Sequence, residues 1–283
     1  MIPEEFEYKR AATLDEAISL IRASNGEGKL LAGGHSLIPL MKLRLSEPGL
    51  LVDISRIEQL RGIREVDGKV AIGAATTHAE VAASDLVRRL CPVIAEAAAE
   101  IGDPQVRNRG TMGGSLAHSD PAADYPAVMV ALDAEIHIKG PGGFRAVTAT
   151  DFFQGMFTVD LAEDEIIAGV QVRPAASAAY VKLHQRASHY AIVGVAAVLE
   201  KDGNVCRSAR IGLTGASSHA QRLANVEAAL AGKELSQANI DAAAAIAADE
   251  LSDVNADIHA SEAYRRAMVK VFTRRALERA AGR

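Results

Sequence analysis

The stretch Leu30-Leu31-Ala32-Gly33-Gly34-His35-Ser36 runs from apolar residues through a Gly-Gly pair to a hydroxyl residue, and Gly110-Thr111-Met112-Gly113-Gly114-Ser115 repeats that pattern further along the chain. Glycine adopts positive φ freely and lets a backbone approach a ligand closely. A loop of this kind can therefore direct successive N–H groups at one anion. Two such loops predict a site for the two phosphates of a dinucleotide, with ordinary turns as the alternative explanation for the glycines.

The common nucleotide-binding signatures do not fit these loops. The Walker A spacing that begins at Gly28 requires Lys and then Ser or Thr, but Gly34-His35 stand at those positions. No G-x-G-x-x-G motif opens a helix after a strand, so a Rossmann-type site is not supported either. The sequence instead predicts diphosphate binding by loops of another kind, in which backbone amides act together with the hydroxyl groups of Ser36, Thr111 and Ser115.

Composition excludes several classes of protein. The 283 residues carry a formal net charge of −5, which gives no electrostatic footprint for a nucleic-acid-binding protein. The N-terminus lacks the features of a signal peptide, and no apolar run reaches the roughly 18 residues of a membrane span, so we expect a cytoplasmic protein. Two distant cysteines, Cys91 and Cys206, and scattered histidines predict no disulfide, no metal site and no iron–sulphur site.

Local patterns predict alternating strands and helices. Thr13 and Glu16 have the spacing of a capping box, and the helix after Thr13 has an apolar face of Leu14, Ala17, Ile18 and Ile21. We expect strands at 29–31, 50–54, 69–73, 134–138, 144–147, 165–172, 179–185, 191–200 and 205–213. Helices are expected at 92–101, at 126–132 and from 221 to the end.

Four expectations concern less regular segments and side-chain faces. Residues 55–66 are predicted as a linker and residues 102–126 as one long functional loop. In the strand at 205–213, the predicted buried face consists of Val205, Ala209, Ile211 and Leu213. In the last helix, the predicted apolar side consists of Tyr264, Ala267, Met268, Val271 and Phe272, with basic residues around the rest.

Together these patterns predict an α+β protein of three parts. Two small α/β units would occupy residues 1–56 and 57–175, each with one of the two glycine loops. Residues 176–283 would form a C-terminal unit with a three-stranded antiparallel sheet and helices.

A family resemblance sharpens this prediction. The segments 32–42 and 103–115 resemble the two FAD-binding segments of the medium subunit in the molybdenum hydroxylase family, which includes aerobic carbon monoxide dehydrogenase and xanthine dehydrogenase. The similarity extends from about Pro3 to the final helix. It implies an FAD-binding domain in two parts, of the vanillyl-alcohol-oxidase type, followed by a C-terminal α+β domain.

The resemblance also implies which residues bind FAD. The diphosphate would be enclosed on one side by Ala32, Gly33, Gly34, His35, Ser36 and Leu37, and on the other by Thr111, Met112, Gly113, Gly114 and Ser115. Asp124 matches a carboxylate that binds toward the ribityl or ribose part, while Ile167, Lys182 and Tyr190 match positions near the flavin ring. The family often has Asn where this chain has Ser115, and a hydroxyl can still donate one hydrogen bond there.

Function and partners follow from the same resemblance. It implies an oxidoreductase subunit with noncovalent FAD and with no catalytic residue of its own. A small subunit would carry the iron–sulphur clusters and a large subunit the molybdenum cofactor, in a dimer of heterotrimers. Electrons would pass through FAD to a quinone, NAD or oxygen, and membrane contact would be indirect if the acceptor is a quinone. The substrate of the complex would be carbon monoxide or an N-heterocyclic or aromatic compound.

The sequence leaves two alternative functions open. One is a stand-alone flavin oxidase, which needs a substrate pocket with a general base over the flavin. The other is a nucleotide-binding assembly module without enzymatic activity.

Overall fold

A computed structural model describes residues 2–283. The first unit contains β1 (Glu7–Arg10), α1 (Leu14–Ala23), β2 (Gly28–Leu31), α2 (Leu37–Lys42) and β3 (Leu50–Asp53). Its strands form a parallel sheet in the order β1, β3, β2, so the last strand along the chain lies in the middle. The central strand β3 is buried along its whole length.

The start of α1 follows the predicted capping pattern in part. Thr13 Oγ1 accepts a hydrogen bond from the backbone N–H of Glu16 at 3.2 Å, but the Glu16 carboxylate accepts from Ala12 rather than from Thr13. The predicted apolar face is confirmed, because the buried residues of α1 are Leu14, Ala17, Ile18 and Ile21.

The second unit is built around a five-stranded antiparallel sheet. Its elements are β4 (Ile63–Val66), β5 (Lys69–Gly73), α3 (His78–Ala83), α4 (Asp85–Leu90), α5 (Pro92–Glu100), α6 (Pro104–Arg107), α7 (Met112–His118), α8 (Asp124–Ala131), β6 (Glu135–Gly140), β7 (Gly143–Thr148), α9 (Ala149–Phe152), β8 (Phe153–Gly155), β9 (Thr158–Val159) and β10 (Ile166–Val172). The sheet order is β4, β5, β10, β6, β7, while β8 and β9 pair only with each other.

Part of the predicted linker at 55–66 is a strand. β4 pairs with β5, with Ile63 opposite Ile72 and Val66 opposite Lys69. Asp67 and Gly68 between them have φ of 51° and 72°, the backbone geometry of a two-residue hairpin. The charged residues of β4 obscure the strand pattern because an edge strand leaves much of its surface in water, whereas the Asp-Gly pair is a signal that could have found the hairpin.

The predicted long loop at 102–126 is also more regular than expected. It contains α6 and α7 and includes the start of α8. Asp103 Oδ1 accepts from Val106 N–H at 2.9 Å to cap α6, and Thr111 Oγ1 accepts from Gly114 N–H at 3.1 Å to cap α7. The second Gly-Gly pair therefore lies in the first turn of a helix. Glycine disfavours helix formation, so the local sequence does not favour a helix at α7. Contacts with other parts of the fold stabilise this helix instead.

The C-terminal unit has one strand more than the three predicted. Its elements are β11 (Ala178–His184), β12 (Ala191–Asp202), β13 (Val205–Thr214), β14 (Gln221–Arg222), α10 (Ala224–Leu230), α11 (Gln237–Ala245) and α12 (Glu262–Ala281). The three long strands match the predicted antiparallel sheet, and the two-residue β14 extends it beside β13. Helices thus begin at Ala224 rather than at Gln221.

The predicted buried face of β13 is wrong at its first residue. Val205 is exposed and its neighbour Cys206 is buried, whereas Ala209, Ile211 and Leu213 are buried as expected. The pairing of β12 with β13 shifts register between Glu200 and Lys201. Such an irregularity reverses the inward and outward alternation on one side of it, which sequence alternation alone does not reveal.

The predicted apolar side of α12 is confirmed for three of its five residues. Phe272 is buried, and Met268 and Val271 are partly buried against the C-terminal apolar cluster, whereas Tyr264 and Ala267 are exposed. The buried residues of the helix are Arg265, Val269, Phe272, Thr273, Ala276, Leu277 and Ala280. Arg265 donates to the backbone oxygens of Ile192 and Gly215 and to the Asp257 carboxylate. These acceptors lie outside α12. The sequence of the helix alone therefore could not show that a buried arginine would find hydrogen-bond partners.

The buried apolar residues form two clusters. One extends from Ala11 to Val172 with a few side chains of the C-terminal sheet, and the other lies between Ala179 and Ala280. Every residue of α8 is buried, as expected for a helix enclosed on all sides. The sheets fall within the three predicted ranges, and the division into three domains stays a prediction. No helix in residues 2–283 has the length and apolar character to cross a membrane.

Candidate dinucleotide site

A cleft with a volume of about 540 Å³ lies where the first two units meet. This volume is within the range of about 300–1,000 Å³ typical of small-molecule sites. The end of β2, the starts of α2 and α7, β10 and the loop before β12 contribute to its wall. All the residues predicted to bind FAD line this cleft except Met112 and Lys182.

The first glycine loop presents a row of free donors. Among the hydrogen bonds of residues 2–283, none is donated by a backbone N–H from Gly33 to Leu37. The loop is closed by Ile38 N–H, which donates to Gly34 O at 3.0 Å, and Gly34 has a φ of 77°. A Cβ at Gly33 would overlap the carbonyl oxygen of Arg109, so this position needs glycine for contact between the two loops. Five consecutive free amides without a carboxylate among them suit an anion such as a diphosphate.

The second glycine loop differs, because the amides of Met112 and of both glycines after it are already used. Met112 N–H donates to Thr76 O at 2.9 Å, and Gly113 N–H donates to Ala74 O at 2.8 Å. Gly114 N–H donates to the cap Thr111, as described above. This loop can therefore offer the cleft side-chain hydroxyl groups rather than an amide cradle.

Met112 is one of the two predicted contact residues that do not line the cleft. Its side chain is completely buried in the core beneath the cleft, and its amide is bonded to the segment after β5. Met112 thus holds α7 in place and does not face the cleft. An apolar residue next to a glycine pair gives no sign at the sequence level of which way it will point.

Lys182 is the other predicted contact residue that does not line the cleft. Its side chain is only 1% exposed, and its ammonium nitrogen lies 2.9 Å from Asp124 Oδ1. It also donates to the backbone oxygens of Glu100 and His189, at 2.7 and 2.8 Å. Lys182 therefore joins three segments behind the cleft wall instead of lining the wall.

Asp124 lies at the wall as predicted, in a buried polar group. Tyr180 donates its hydroxyl hydrogen to Asp124 Oδ1 at 2.5 Å, and Lys182 donates to the same oxygen. Burial raises the pKa of Asp124, and the neighbouring Lys182 ammonium opposes that rise. Because Asp124 lines the cleft, its carboxyl group is positioned to accept a hydrogen bond from a ligand hydroxyl.

Ile167 and Tyr190, both predicted near the flavin ring, line the cleft. Ile167 is buried on β10, where the pairing with β6 shifts register between Ile167 and Gly169. Such bulges often occur beside functional sites, where they redirect side chains. Tyr190 is half exposed and lies in the loop between β11 and β12.

The structure adds residues that sequence reasoning missed, and His78 is the most informative. It lines the cleft, is 5% exposed, and its Nδ1 is buried without a hydrogen-bond partner among the described residues. Burial lowers the pKa of His78 to about 4, with smaller contributions from His35 and Arg107. Thr77 and Glu80 form a capping box that signals the start of α3 in the sequence. Nothing in that signal places His78 in the cleft.

The residues present fit a dinucleotide. The first loop supplies free amides and the Ser36 hydroxyl, the second supplies the hydroxyls of Thr111 and Ser115, and Asp124 supplies an acceptor. Among the described residues, no group of three or more His, Cys, Asp or Glu side chains is placed to hold a metal ion.

Family comparison agrees with this architecture over nearly the whole chain. Residues 4–175 match the family described as the FAD binding domain in molybdopterin dehydrogenase, and residues 178–280 match the CO dehydrogenase flavoprotein C-terminal domain. The chain belongs to this family of FAD-binding oxidoreductase subunits. The resemblance inferred from the two glycine segments is confirmed, as are the α+β fold class and FAD as the family cofactor.

Individual relatives are similar along most of their length. The carbon monoxide dehydrogenase medium chain of Hydrogenophaga pseudoflava is 42% identical over 246 residues, covering 86% of each chain. The 6-hydroxypseudooxynicotine dehydrogenase complex subunit alpha of Paenarthrobacter nicotinovorans is 38% identical, covering 99% of this chain and 96% of that protein. A solved structure of carbon monoxide dehydrogenase from Hydrogenophaga pseudoflava, lacking the Mo-pyranopterin moiety of its cofactor, superposes with a TM-score of 0.96 at 41% identity, covering 100% of this chain and 99% of that chain.

Proposed function

We propose that this chain is the FAD-carrying electron-transfer subunit of a molybdenum hydroxylase complex. The observation that carries the proposal is the row of free amides from Gly33 to Leu37, at a cleft in a chain that belongs to the FAD-binding family. The similarity of most of the chain to subunits of larger enzymes supports a subunit role rather than a complete oxidase.

The division of labour in the proposed complex follows from the cysteines. Cys91 and Cys206 are both buried and belong to different apolar clusters, so they cannot ligate one iron–sulphur cluster together. Burial raises the pKa of Cys91 to about 12, which further disfavours the thiolate that a metal requires. In our proposal a small partner carries the clusters and a large partner the molybdenum cofactor, in a cytoplasmic dimer of heterotrimers.

The residues of this chain would bind and orient FAD without covalent attachment. The Gly33–Leu37 amides and the hydroxyls of Ser36, Thr111 and Ser115 would bind the diphosphate, and Asp124 would accept from a ribityl or ribose hydroxyl. Ile167 and Tyr190 would flank the ring. FAD supplies the ability to take up electrons one at a time and release them as a pair, and the protein supplies position and electrostatics.

The substrate and the acceptor are properties of the whole complex. The enzymes to which the two relatives belong act on carbon monoxide and on 6-hydroxypseudooxynicotine according to their names, although both relatives are similar to this chain. We propose carbon monoxide or an N-heterocyclic or aromatic compound as the substrate, and a quinone, NAD or oxygen as the acceptor.

Anaerobic reduction of the purified chain tests this function. We expect acid precipitation to release the yellow flavin, and dithionite to reduce the flavin of the isolated chain. Carbon monoxide, purines and N-heterocycles should not reduce it until the cluster-bearing and molybdenum-bearing subunits are added. Fast reduction of the isolated chain by an organic substrate would instead identify a stand-alone oxidase. A chain that never retains flavin would identify an assembly module.

A further inference from the structure

The hairpin of β8 and β9 exposes two large apolar side chains at its tip. Met156 is 53% exposed and Phe157 is 54% exposed. The two strands form their own two-stranded sheet, so the hairpin projects from the five-stranded sheet instead of extending it. Methionine and aromatic residues are enriched at protein–protein interfaces.

Phe157 has an unfavourable backbone conformation. Its φ is 52°, in the left-handed region that a bulky side chain rarely adopts. Glycine at this place would adopt the same φ without the steric conflict. Strained residues of this kind often occur at functional sites, where the surrounding structure holds them.

Arg145 fixes the base of the hairpin. Its guanidinium group donates to both Glu165 carboxylate oxygens at 2.7 Å, and to the side chain and the backbone oxygen of Asp160 at 2.8 Å. Asp160 directly follows β9, and Glu165 directly precedes β10. The tip is therefore held in a defined position relative to the sheet, which reduces the entropy lost when a partner binds.

The tip lies at the rim of the proposed FAD cleft. The ring centroids of Phe157 and His118 are 5.2 Å apart, and His118 lines the cleft. On the other side, Leu161 follows the hairpin and also lines the cleft. The exposed apolar tip thus continues the wall of the cleft outward.

We propose that Met156 and Phe157 anchor the iron–sulphur partner subunit at the mouth of the FAD cleft. This inference rests on the proposed electron-transfer function. A protein that delivers electrons to the flavin must approach it closely, so its docking surface must border the cleft. Phe144, the other strongly exposed phenylalanine, is at the turn of β6 and β7 and does not line this cleft.

The test compares F157G and M156A with the control F144A, each in the full chain loaded with FAD. We expect F157G to keep stoichiometric FAD and an equal or higher melting temperature, because glycine relieves the strain at this φ. F157G and M156A should each weaken binding of the cluster-bearing subunit at least tenfold and slow flavin reduction through it. F144A, although its side chain is 67% exposed in the wild type, should leave binding unchanged.

The outcomes separate this inference from the function on which it rests. If the wild-type chain binds the cluster-bearing subunit and F157G and M156A bind it equally well, the docking proposal is wrong and the electron-transfer function stands. Equal losses in F144A would also overturn the proposal, since general surface hydrophobicity would then explain binding. If the wild-type chain neither binds that subunit nor receives electrons through it, both proposals fail.

Discussion

Single residues in the cleft differ in function more than their sequence pattern suggests. The two Gly-Gly pairs look equivalent, yet Gly33 to Leu37 have free amides whereas Met112 and Gly113 donate theirs to the segment after β5. The hydrogen-bonding capacity of a loop therefore depends on which acceptors its neighbours present. That information is absent from the loop sequence itself.

His78 gives a prediction about pH. Its folded-state pKa of about 4 lies below the ordinary value of 6.5, so the unfolded chain binds the proton more readily. Stability should fall as the pH drops below 6.5, and the full loss of about 3 kcal/mol should be reached below pH 4. Urea unfolding of the FAD-free chain from pH 7.5 to 4 should show this dependence.

The variant H78L isolates the contribution of this histidine. It removes the titrating ring and leaves all the carboxylates, so the free energy of unfolding should fall less steeply with acid than in the wild type. Parallel curves for the two proteins over this range would show that His78 is not held neutral by burial.

At the scale of elements, α7 is defined by its packing against the segment after β5. A Cβ at Gly113 would lie 2.5 Å from Ala74 Cβ, whereas a Cβ at Gly114 would meet only the Thr111 hydroxyl, at 2.8 Å. The first neighbour is part of the packed wall, and the second is the end of a small side chain. The two adjacent glycines thus have different structural roles.

This difference predicts unequal effects of two matched substitutions. G113A should destabilise the FAD-free chain by about 1–3 kcal/mol, the usual range for overpacking a core. G114A should change stability by less than about 1 kcal/mol, because alanine favours the helix and the Thr111 hydroxyl can shift. Thermal or urea unfolding without FAD measures both. Equal effects would mean that contact with Ala74 does not determine the glycine requirement.

At the scale of the whole molecule, the C-terminal unit helps to build the cleft of the first two units. Lys182 on β11 bonds to Asp124 on α8, to Glu100 at the end of α5 and to His189 in the loop before β12. Asp124 and Lys182 both have almost completely buried side chains. Removing one partner of a buried pair leaves the other charge unpaired.

K182M should therefore destabilise the chain by about 3 kcal/mol near neutral pH. The loss should shrink in acid, since protonated Asp124 no longer needs a counter-charge and its pKa is already raised by burial. The matched control K139M breaks the pair of Lys139 with the strongly exposed Asp15, and such surface pairs contribute at most about 1 kcal/mol. Urea unfolding at two pH values compares them, and similar losses in both variants would argue against a special role for the buried pair.

Much of the fold could be predicted because local sequence patterns determine its helices and strands. The apolar face of α1, the long strands of the C-terminal sheet and the two glycine segments are set by residues close together in the sequence. The same segments carried the family resemblance, and the family match confirms FAD as the cofactor. Side-chain period and turn chemistry act over a few residues, so a sequence shows them directly.

Tertiary structure alone decided which neighbours each segment meets. In the folded chain, the glycine-rich segment at 112–114 forms the start of a helix and Arg265 of α12 is buried. Met112 and Lys182 lie behind the cleft wall. His78 lies at that wall. Each of these outcomes depends on hydrogen-bond acceptors or packing surfaces supplied from distant positions in the chain. The sequence by itself determined the local elements and the chemistry available, and only the folded chain determined which donors remain free for a ligand.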